Sequence, residues 1–301
     1  MAYTPKSDTW ISPCDLCGSL RHETLKLPHE RIALRCRDCG LVTIPHADTG
    51  PRRGLAPRCE LPEDLALAAI RELGRDRSML VIGIPSTAMV MEAETAGVPM
   101  VALVEPGSGQ IPLVRTQEWS LEGAAFPPDR FDFILCLHGL ESFPAPSLLF
   151  DRARCWLRPG GTLMVGTLNF ESLPARIRRQ NWLQRYAPGA EHILSLDTLK
   201  GYAERYGLAI RSVRTRSRLD EVASIITGSE RPSWLMSMAA APLTLATSLL
   251  GMGVLIVVEM AREGLAQRPL RREPEEEMEG SPGLAPALYT SVQREAMAKC
   301  P

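Results

Sequence analysis

Ser78–Gly107 reads SMLVIGIPSTAMVMEAETAGVPMVALVEPG, and its punctuation decides the fold. Met79-Leu80-Val81-Ile82 is a short run of β-forming apolar residues, bounded by Arg75-Asp76-Arg77 before it and Gly83 after it. Ile84-Pro85-Ser86-Thr87 is turn chemistry: proline fixes φ, and a serine or threonine hydroxyl can cap a helix that follows. Ala88 to Ala96 is rich in helix formers, and Gly97 supplies a C-terminal stop. Met100 to Val104 is a second apolar strand, ending on the acidic residue Glu105. Strand, tight turn, helix and strand, with a carboxylate 22 positions beyond Gly83, form a unit suited to a nucleoside-bearing ligand. The turn places its backbone at the helix N-terminus, and the carboxylate can accept from ribose hydroxyls. Only one glycine is present in this turn.

Outward from this unit, strands and helices keep alternating. Glu63 to Leu73 has helical periodicity, with acids at its start and Gly74 beyond its end. Ile111 to Val114 is a weak strand or loop. Phe133 to Leu137 is continuously apolar, as a central parallel strand covered on both faces should be. Ser147 to Leu157 reads as an amphipathic helix, Arg158-Pro-Gly-Gly161 as a sharp turn, and Thr162 to Gly166 as another strand. Alternation over residues 63–215 predicts an α/β, Rossmann-like, doubly wound and mainly parallel sheet. Ligands in such sheets sit outside the carboxyl ends of the strands, so the loops at 83–87, 105–109, 138–142 and 167–172 are the ones to watch.

The 301 residues suffice for one sizeable core with small appendages. A net charge of −1 gives no global basic field, so nucleic acid is not expected as a partner. The N-terminal MAYTPKSDTW lacks a basic-then-apolar export pattern, which points to a cytoplasmic location. Of eight cysteines, four form Cys14-Asp-Leu-Cys17-Gly18 and Cys36-Arg-Asp-Cys39-Gly40, a C-x2-C-x18-C-x2-C arrangement. Thiolates two residues apart in a tight turn can share one tetrahedral ion, so Cys14, Cys17, Cys36 and Cys39 predict a structural Zn2+ ribbon. Unrelated pairs of buried or redox cysteines are the alternative. The expected organisation is a zinc ribbon at 1–50, a Pro/Gly/Arg-rich linker at 51–62, the α/β domain at 63–263 and a disordered tail at 264–301.

With these elements placed, the chain resembles class I S-adenosylmethionine-dependent methyltransferases, in particular the branch with an N-terminal zinc ribbon grouped with the type 11, 12 and 23 domains. The resemblance covers residues 14–215 and extends to about 263. Its carriers are CRDCGLVTIP, VIGIPST, LVEPG, FPPDRFDFILCLHGLESFPAP, LRPGGTLMVGTLNFES and NWLQRYAPGAEHILSLDTLKGYAERYGL. It implies a seven-stranded sheet and S-adenosylmethionine as cofactor, contacted by Gly83, Pro85, Glu105 and His138. It also implies methyl transfer to a small-molecule, sugar or lipid-linked acceptor. Glu191-His192 matches the E-H of relatives, and His192 with Glu191 are candidate catalytic residues, since imidazole titrates near neutrality; a His that shapes a lid is the alternative. Trp182, Arg185 and Tyr186 are candidates for an acceptor pocket, with an aromatic packed against the lid as the alternative for each of the two rings. Family loops read D-x-G-x-G-x-G, whereas Val81, Pro85 and Thr87 stand at the acid and the later glycines. The L-E-H loop here is Leu140-Glu141-Ser142. A non-catalytic, methyltransferase-like scaffold that binds a partner is therefore the competing reading.

Pro232 to Val258 is 27 residues without a charge, long enough to span a bilayer. Pro242 interrupts it, Ser237, Thr244, Thr247 and Ser248 dilute it, and Gly251-Met-Gly253 divides it. The expectation is a helix followed by the last strand of the sheet; the alternatives are membrane association of 232–258, by a lipid-facing helix or a true span, and a protein partner engaging it.

Overall fold

A computed structural model describes residues 12–26, 32–45, 61–104, 111–112, 114–118, 121–137, 140–177, 190–217, 222–223 and 233–263. Three short strands come first: β1 (His22–Lys26), β2 (Ile32–Cys36) and β3 (Val42–Thr43). Helix α1 (Glu63–Leu73) opens on Glu63 and Asp64, whose charges favour a helix N-terminus, and stops at Gly74. Strand β4 (Met79–Ile82), helix α2 (Thr87–Ala96) and strand β5 (Met100–Val104) follow as the sequence predicts. Ser86 caps α2 by accepting from the Met89 N–H, and Gly97 closes it in the left-handed conformation.

Beyond them lie β6 (Arg115–Glu118), β7 (Phe131–Cys136), a 3-10 turn at Leu140–Ser142, α3 (Pro146–Trp156), β8 (Leu157–Leu168) and α4 (Leu173–Ile177). The chain continues through β9 (His192–Ile193), α5 (Leu196–Arg205), β10 (Leu208–Arg216), α6 (Trp234–Ala239), α7 (Ala241–Leu249) and β11 (Leu255–Arg262). Seven strands form one sheet in the order β10-β11-β8-β7-β4-β5-β6. All neighbours are parallel except β11, which runs antiparallel to both β8 and β10.

The unbroken apolar runs of β4 and β7 exist because both faces of the sheet are covered. Leu80, Ile134 and Val165 face a core with Phe150, Trp156 and Leu199. Met79, Val81, Leu135 and Met164 face the other core, with Leu65, Ile70 and Met89.

Three details depart from the expectation. The edge strand lies at Arg115–Glu118 instead of Ile111–Val114, because an edge tolerates the polar sequence RTQE. The turn at Arg158–Gly161 is an excursion inside β8: Phe131 pairs with Leu157 and Phe133 with Thr162, so four residues stand opposite one. The single helix expected before the last strand is two, α6 and α7, and Pro242, which interrupts the run as expected, stands in the first turn of α7 where its missing N–H costs nothing.

The amino ends of the central strands are tied by Asp132. Its buried carboxylate accepts from Arg77 Nη1 at 2.7 Å, Arg158 Nη1 at 2.7 Å and the Ser78 N–H at 2.9 Å. Burial alone would raise its pKa, but the Arg77 bond, the Ser78 N–H and the Arg158 charge outweigh it and hold the carboxyl below its ordinary 3.8. A depressed folded-state pKa gives stability that is present above the unfolded value and lost as pH falls through the folded one. Both arginines are half-exposed, so D132N should cost about 2 kcal/mol at neutral pH after allowance for screening. Urea unfolding should show the gap between D132N and wild type closing below about pH 4. A gap of equal size at pH 3 and pH 7 contradicts the assignment.

Candidate active site and metal centre

The two C-x-x-C turns converge. The ligand atoms of Cys14, Cys17, Cys36 and Cys39 all lie within 4.8 Å of one another. Gly18 and Gly40 make this possible: their φ values of +74° and +78° let each chain turn back, with Gly18 N–H on the Cys14 carbonyl and Gly40 N–H on the Cys36 carbonyl. Burial pushes the Cys14 thiol up to about 11 and raises Cys39 as well. In Cys36 burial is outweighed by the backbone N–H groups of Cys39 and Asp38, which lower the thiol to about 7. A shared cation would hold all four as thiolates, and an all-thiolate tetrahedral set fits Zn2+.

The ribbon is joined to the α/β domain at several points. Asp15, between the first two cysteines, accepts from the Ser147 N–H at 2.9 Å, the Ser147 hydroxyl at 2.6 Å and the Tyr202 hydroxyl at 2.6 Å. It thereby caps the first turn of α3, where backbone N–H groups lack partners. Leu16 packs on Gly201, where a Cβ would come within 3.2 Å of its methyl group, and its carbonyl accepts from Arg205. Strand β3 pairs with β9, so the small sheet runs β1-β2-β3-β9 and takes its fourth strand from the α/β domain.

His192 lies in that fourth strand. It is buried, with Nδ1 3.3 Å from Thr43 Oγ1 and Nε2 3.1 Å from the Pro144 carbonyl. Both ring nitrogens are engaged in joining the ribbon to the loop after the 3-10 turn. Proton abstraction by this ring requires one of those bonds to open. Glu191 is half-buried and used through its backbone: its N–H reaches the Glu141 carbonyl at 2.7 Å and its carbonyl accepts from Ile44 N–H at 2.8 Å.

At the carboxyl ends of the strands, Gly83 has φ +116°, a conformation for which only glycine is suited, and its N–H pairs with the Leu103 carbonyl at 2.8 Å. Val81 and Pro85 are buried, while Ile84 is 56% exposed at the turn. Glu105, His138, Trp182, Arg185 and Tyr186 lie outside the described residues, as does the tail at 264–301.

Sequence reasoning passed over two residues near this end of the sheet. Glu141 is buried and accepts from the Thr167 hydroxyl at 2.9 Å; burial raises its pKa. Asn169 donates to the carbonyls of Gly251 at 3.1 Å and Gly253 at 2.8 Å, fastening β8 to the turn before β11. Their signal was present as L-E-S and L-N-F-E-S, but nothing local says what they hold. A cavity of about 390 Å³ beside Val90, Met100 and Arg130 opens at the amino ends of β5 and β6, away from these loops.

The sequence matches a family model described as a methyltransferase domain. That model matches residues 67–213. The chain carries a class I S-adenosylmethionine-dependent methyltransferase domain. Among solved structures, a chain of the Haloferax volcanii complex between the Trm112 methyltransferase activator and a candidate methyltransferase is similar at 12% identity and a TM-score of 0.50. That match covers 67% of this chain and 89% of the other. The YcgJ protein of Bacillus subtilis is similar at 15% identity, TM-score 0.46, covering 67% and 99%. An S-adenosylmethionine-dependent methyltransferase from Mesorhizobium loti is similar at 18% identity, TM-score 0.45, covering 66% and 97%. No curated protein matches the sequence. Of these structures, the Haloferax volcanii match, at a TM-score of 0.50, speaks to the fold alone.

Removing the Asp15 carboxylate leaves the Ser147 N–H and the Tyr202 hydroxyl without their acceptor in a largely buried joint. D15A should lower stability by about 2–4 kcal/mol while zinc content, measured by metal analysis, stays at the wild-type level. A thermal transition unchanged in D15A contradicts the docking role.

Proposed function

We propose that this chain transfers a methyl group from S-adenosylmethionine to an acceptor held at the carboxyl ends of the sheet. The observation that carries the reading is the match of residues 67–213 to a methyltransferase domain, on a sheet with the order and glycine turn such a domain needs. The acceptor class suggested by resemblance is a small molecule, a sugar or a lipid-linked compound.

The residues present fit the cofactor in part. Gly83 gives the positive-φ turn that brings backbone close to a ligand, and α2 begins directly after it. Thr87 and Ala88, in the first turn of α2, present N–H groups ahead of the one that Ser86 caps, a favourable site for a carboxylate. Pro85 shapes the turn but donates nothing. Glu105, directly after β5, has the carboxylate to accept from ribose hydroxyls, and His138, two residues beyond β7, has a ring to stand beside a base. When bound, the cofactor supplies an electrophilic methyl on a sulfonium.

The work of this chain is to orient the acceptor and exclude water, because methyl transfer is an in-line displacement governed by alignment. Glu141 and Asn169 act as positioning residues: one fixes the end of β8 and, through its carbonyl, the Glu191 backbone; the other fixes the turn before β11. His192, with Glu191 beside it, is the candidate base if the acceptor needs deprotonation.

A specific observation favours a second reading, a methyltransferase-like scaffold. Val81 is buried where relatives carry an acid for the cofactor's amino-acid end, and Pro85 replaces a glycine N–H. Calorimetry separates the two readings. The folded, zinc-loaded chain should bind S-adenosylmethionine and S-adenosylhomocysteine, and E105A should weaken both by about tenfold through loss of charge-assisted ribose bonds. No binding by the folded chain removes the enzyme reading, and unchanged affinity in E105A removes the ribose assignment.

A further inference from the structure

The cavity of about 390 Å³ at the amino ends of β5 and β6 has a lining of its own chemistry. Val90, Ala93 and Glu94 are spaced i, i+3, i+4, so one face of α2 forms one wall. Met100 and Val101 at the start of β5, and Val114 just before β6, continue the apolar surface. The charged lining is Glu94, Arg115 and Arg130. An apolar hollow of this size with a few placed polar groups is the form that small-molecule sites take.

Three arginines at this end of the sheet are committed to carboxylates. Arg77 and Arg158 donate to Asp132, and Arg262 pairs with Asp129. Arg115 and Arg130 differ: among the described residues neither has an ion pair, and no guanidinium N–H of either has an acceptor.

Arg130 is nevertheless held in place. Its Cζ lies over two rings, 5.3 Å from the centre of Phe126 and 5.2 Å from the centre of Phe131. These rings are themselves fixed, packed edge to face with centres 5.1 Å apart and buried in the core. Contacts with ring faces position a cation without supplying an oxygen acceptor, so the fork of N–H donors is left for a ligand. A head positioned in advance loses less freedom on binding than a loose surface cation.

The charge balance narrows the ligand. Two guanidiniums against one carboxylate leave a net charge of +1 on the lining. That balance attracts one negative charge and opposes a second beside Glu94. The planar fork of a guanidinium matches the oxygen pair of a carboxylate, and the apolar walls suit a hydrocarbon body. A nucleotide, with several phosphate charges, does not match this lining.

We propose that this cavity binds a small amphiphilic monocarboxylate, with its apolar body among Val90, Val98, Met100 and Val114 and its carboxylate on Arg130 and Arg115. The site is separate from the loops at the carboxyl ends of the sheet, and binding there is independent of whether the domain transfers methyl groups.

The test is titration of the full, zinc-loaded chain, carrying labelled valine methyl groups, with octanoate as the probe and NMR as the readout. Octanoate should shift the methyls of Val90, Val98 and Val114 and saturate in the millimolar range or below. Octanol, with the same chain and no charge, should bind about tenfold more weakly, and R130Q should weaken octanoate by a similar factor. If R130Q lowers the melting temperature, R115Q carries the same test, since Arg115 is exposed and outside the core. V114W, which fills the cavity from its rim, should abolish the shifts at Val90 and Val98. Absence of a saturable shift at these methyls overturns the proposal, as does octanol binding as tightly as octanoate. Unchanged octanoate affinity in both R130Q and R115Q also overturns it. Displacement of octanoate by S-adenosylhomocysteine puts the probe in the cofactor site and overturns it too. Tighter binding of the doubly charged octyl phosphate overturns the assignment of a monocarboxylate.

Discussion

The carboxylate of Asp15 joins the parts of this molecule that the sequence separates. It belongs to the first cysteine turn, yet its acceptors are filled by Ser147 at the start of α3 and Tyr202 in the middle of α5. A turn shaped to hold a metal therefore also terminates a helix of the methyltransferase domain. Leu16, Cys14, Cys36 and Leu41 belong to the same buried cluster as Phe150, Leu199 and Tyr202, and Phe150 stacks on Tyr202 with ring centres 4.8 Å apart. A ribbon of this size has too few residues for a core of its own. It borrows one.

This arrangement bears on the active-site end through β9. The segment that leads into α5 is held by pairing with β3, by Thr43 on one side of His192 and by the Pro144 carbonyl on the other. Glu141 receives the Glu191 N–H at its carbonyl and the Thr167 hydroxyl at its carboxylate. The four cysteines, the 3-10 turn and the carboxyl end of β8 thus form one continuous set of contacts. The ribbon acts as a fixed wall of the methyltransferase domain.

Local pattern carried much of this into the sequence. Apolar runs located β4, β5 and β7, the acids and Gly74 bounded α1, and Ser86 with Gly97 bounded α2, because each signal is complete within a few residues. What stayed hidden depends on partners far along the chain. Asp15 and Ser147 are 132 positions apart, and Thr43 and His192 are 149 apart. No periodicity announces such pairs, so at His192 the sequence left a base open beside the preferred reading of a lid residue. Residues 232–258 were legible as helix then strand, but not which face of the helix would be buried. A threonine stripe turned inward, as Thr244 and Thr247 are on α7, is invisible to composition, because the same residues turned outward give the same sequence.

The account stands on the ribbon and the methyltransferase domain being one folded unit. Hydrogen exchange of the full chain before and after zinc removal by a chelator tests it directly. The account predicts that protection falls together in β1–β3, in β9 and in the first turn of α3, since all three share the contacts of Asp15 and Thr43. Loss of protection confined to residues 12–45, with β9 and the start of α3 exchanging as slowly as before, would contradict it.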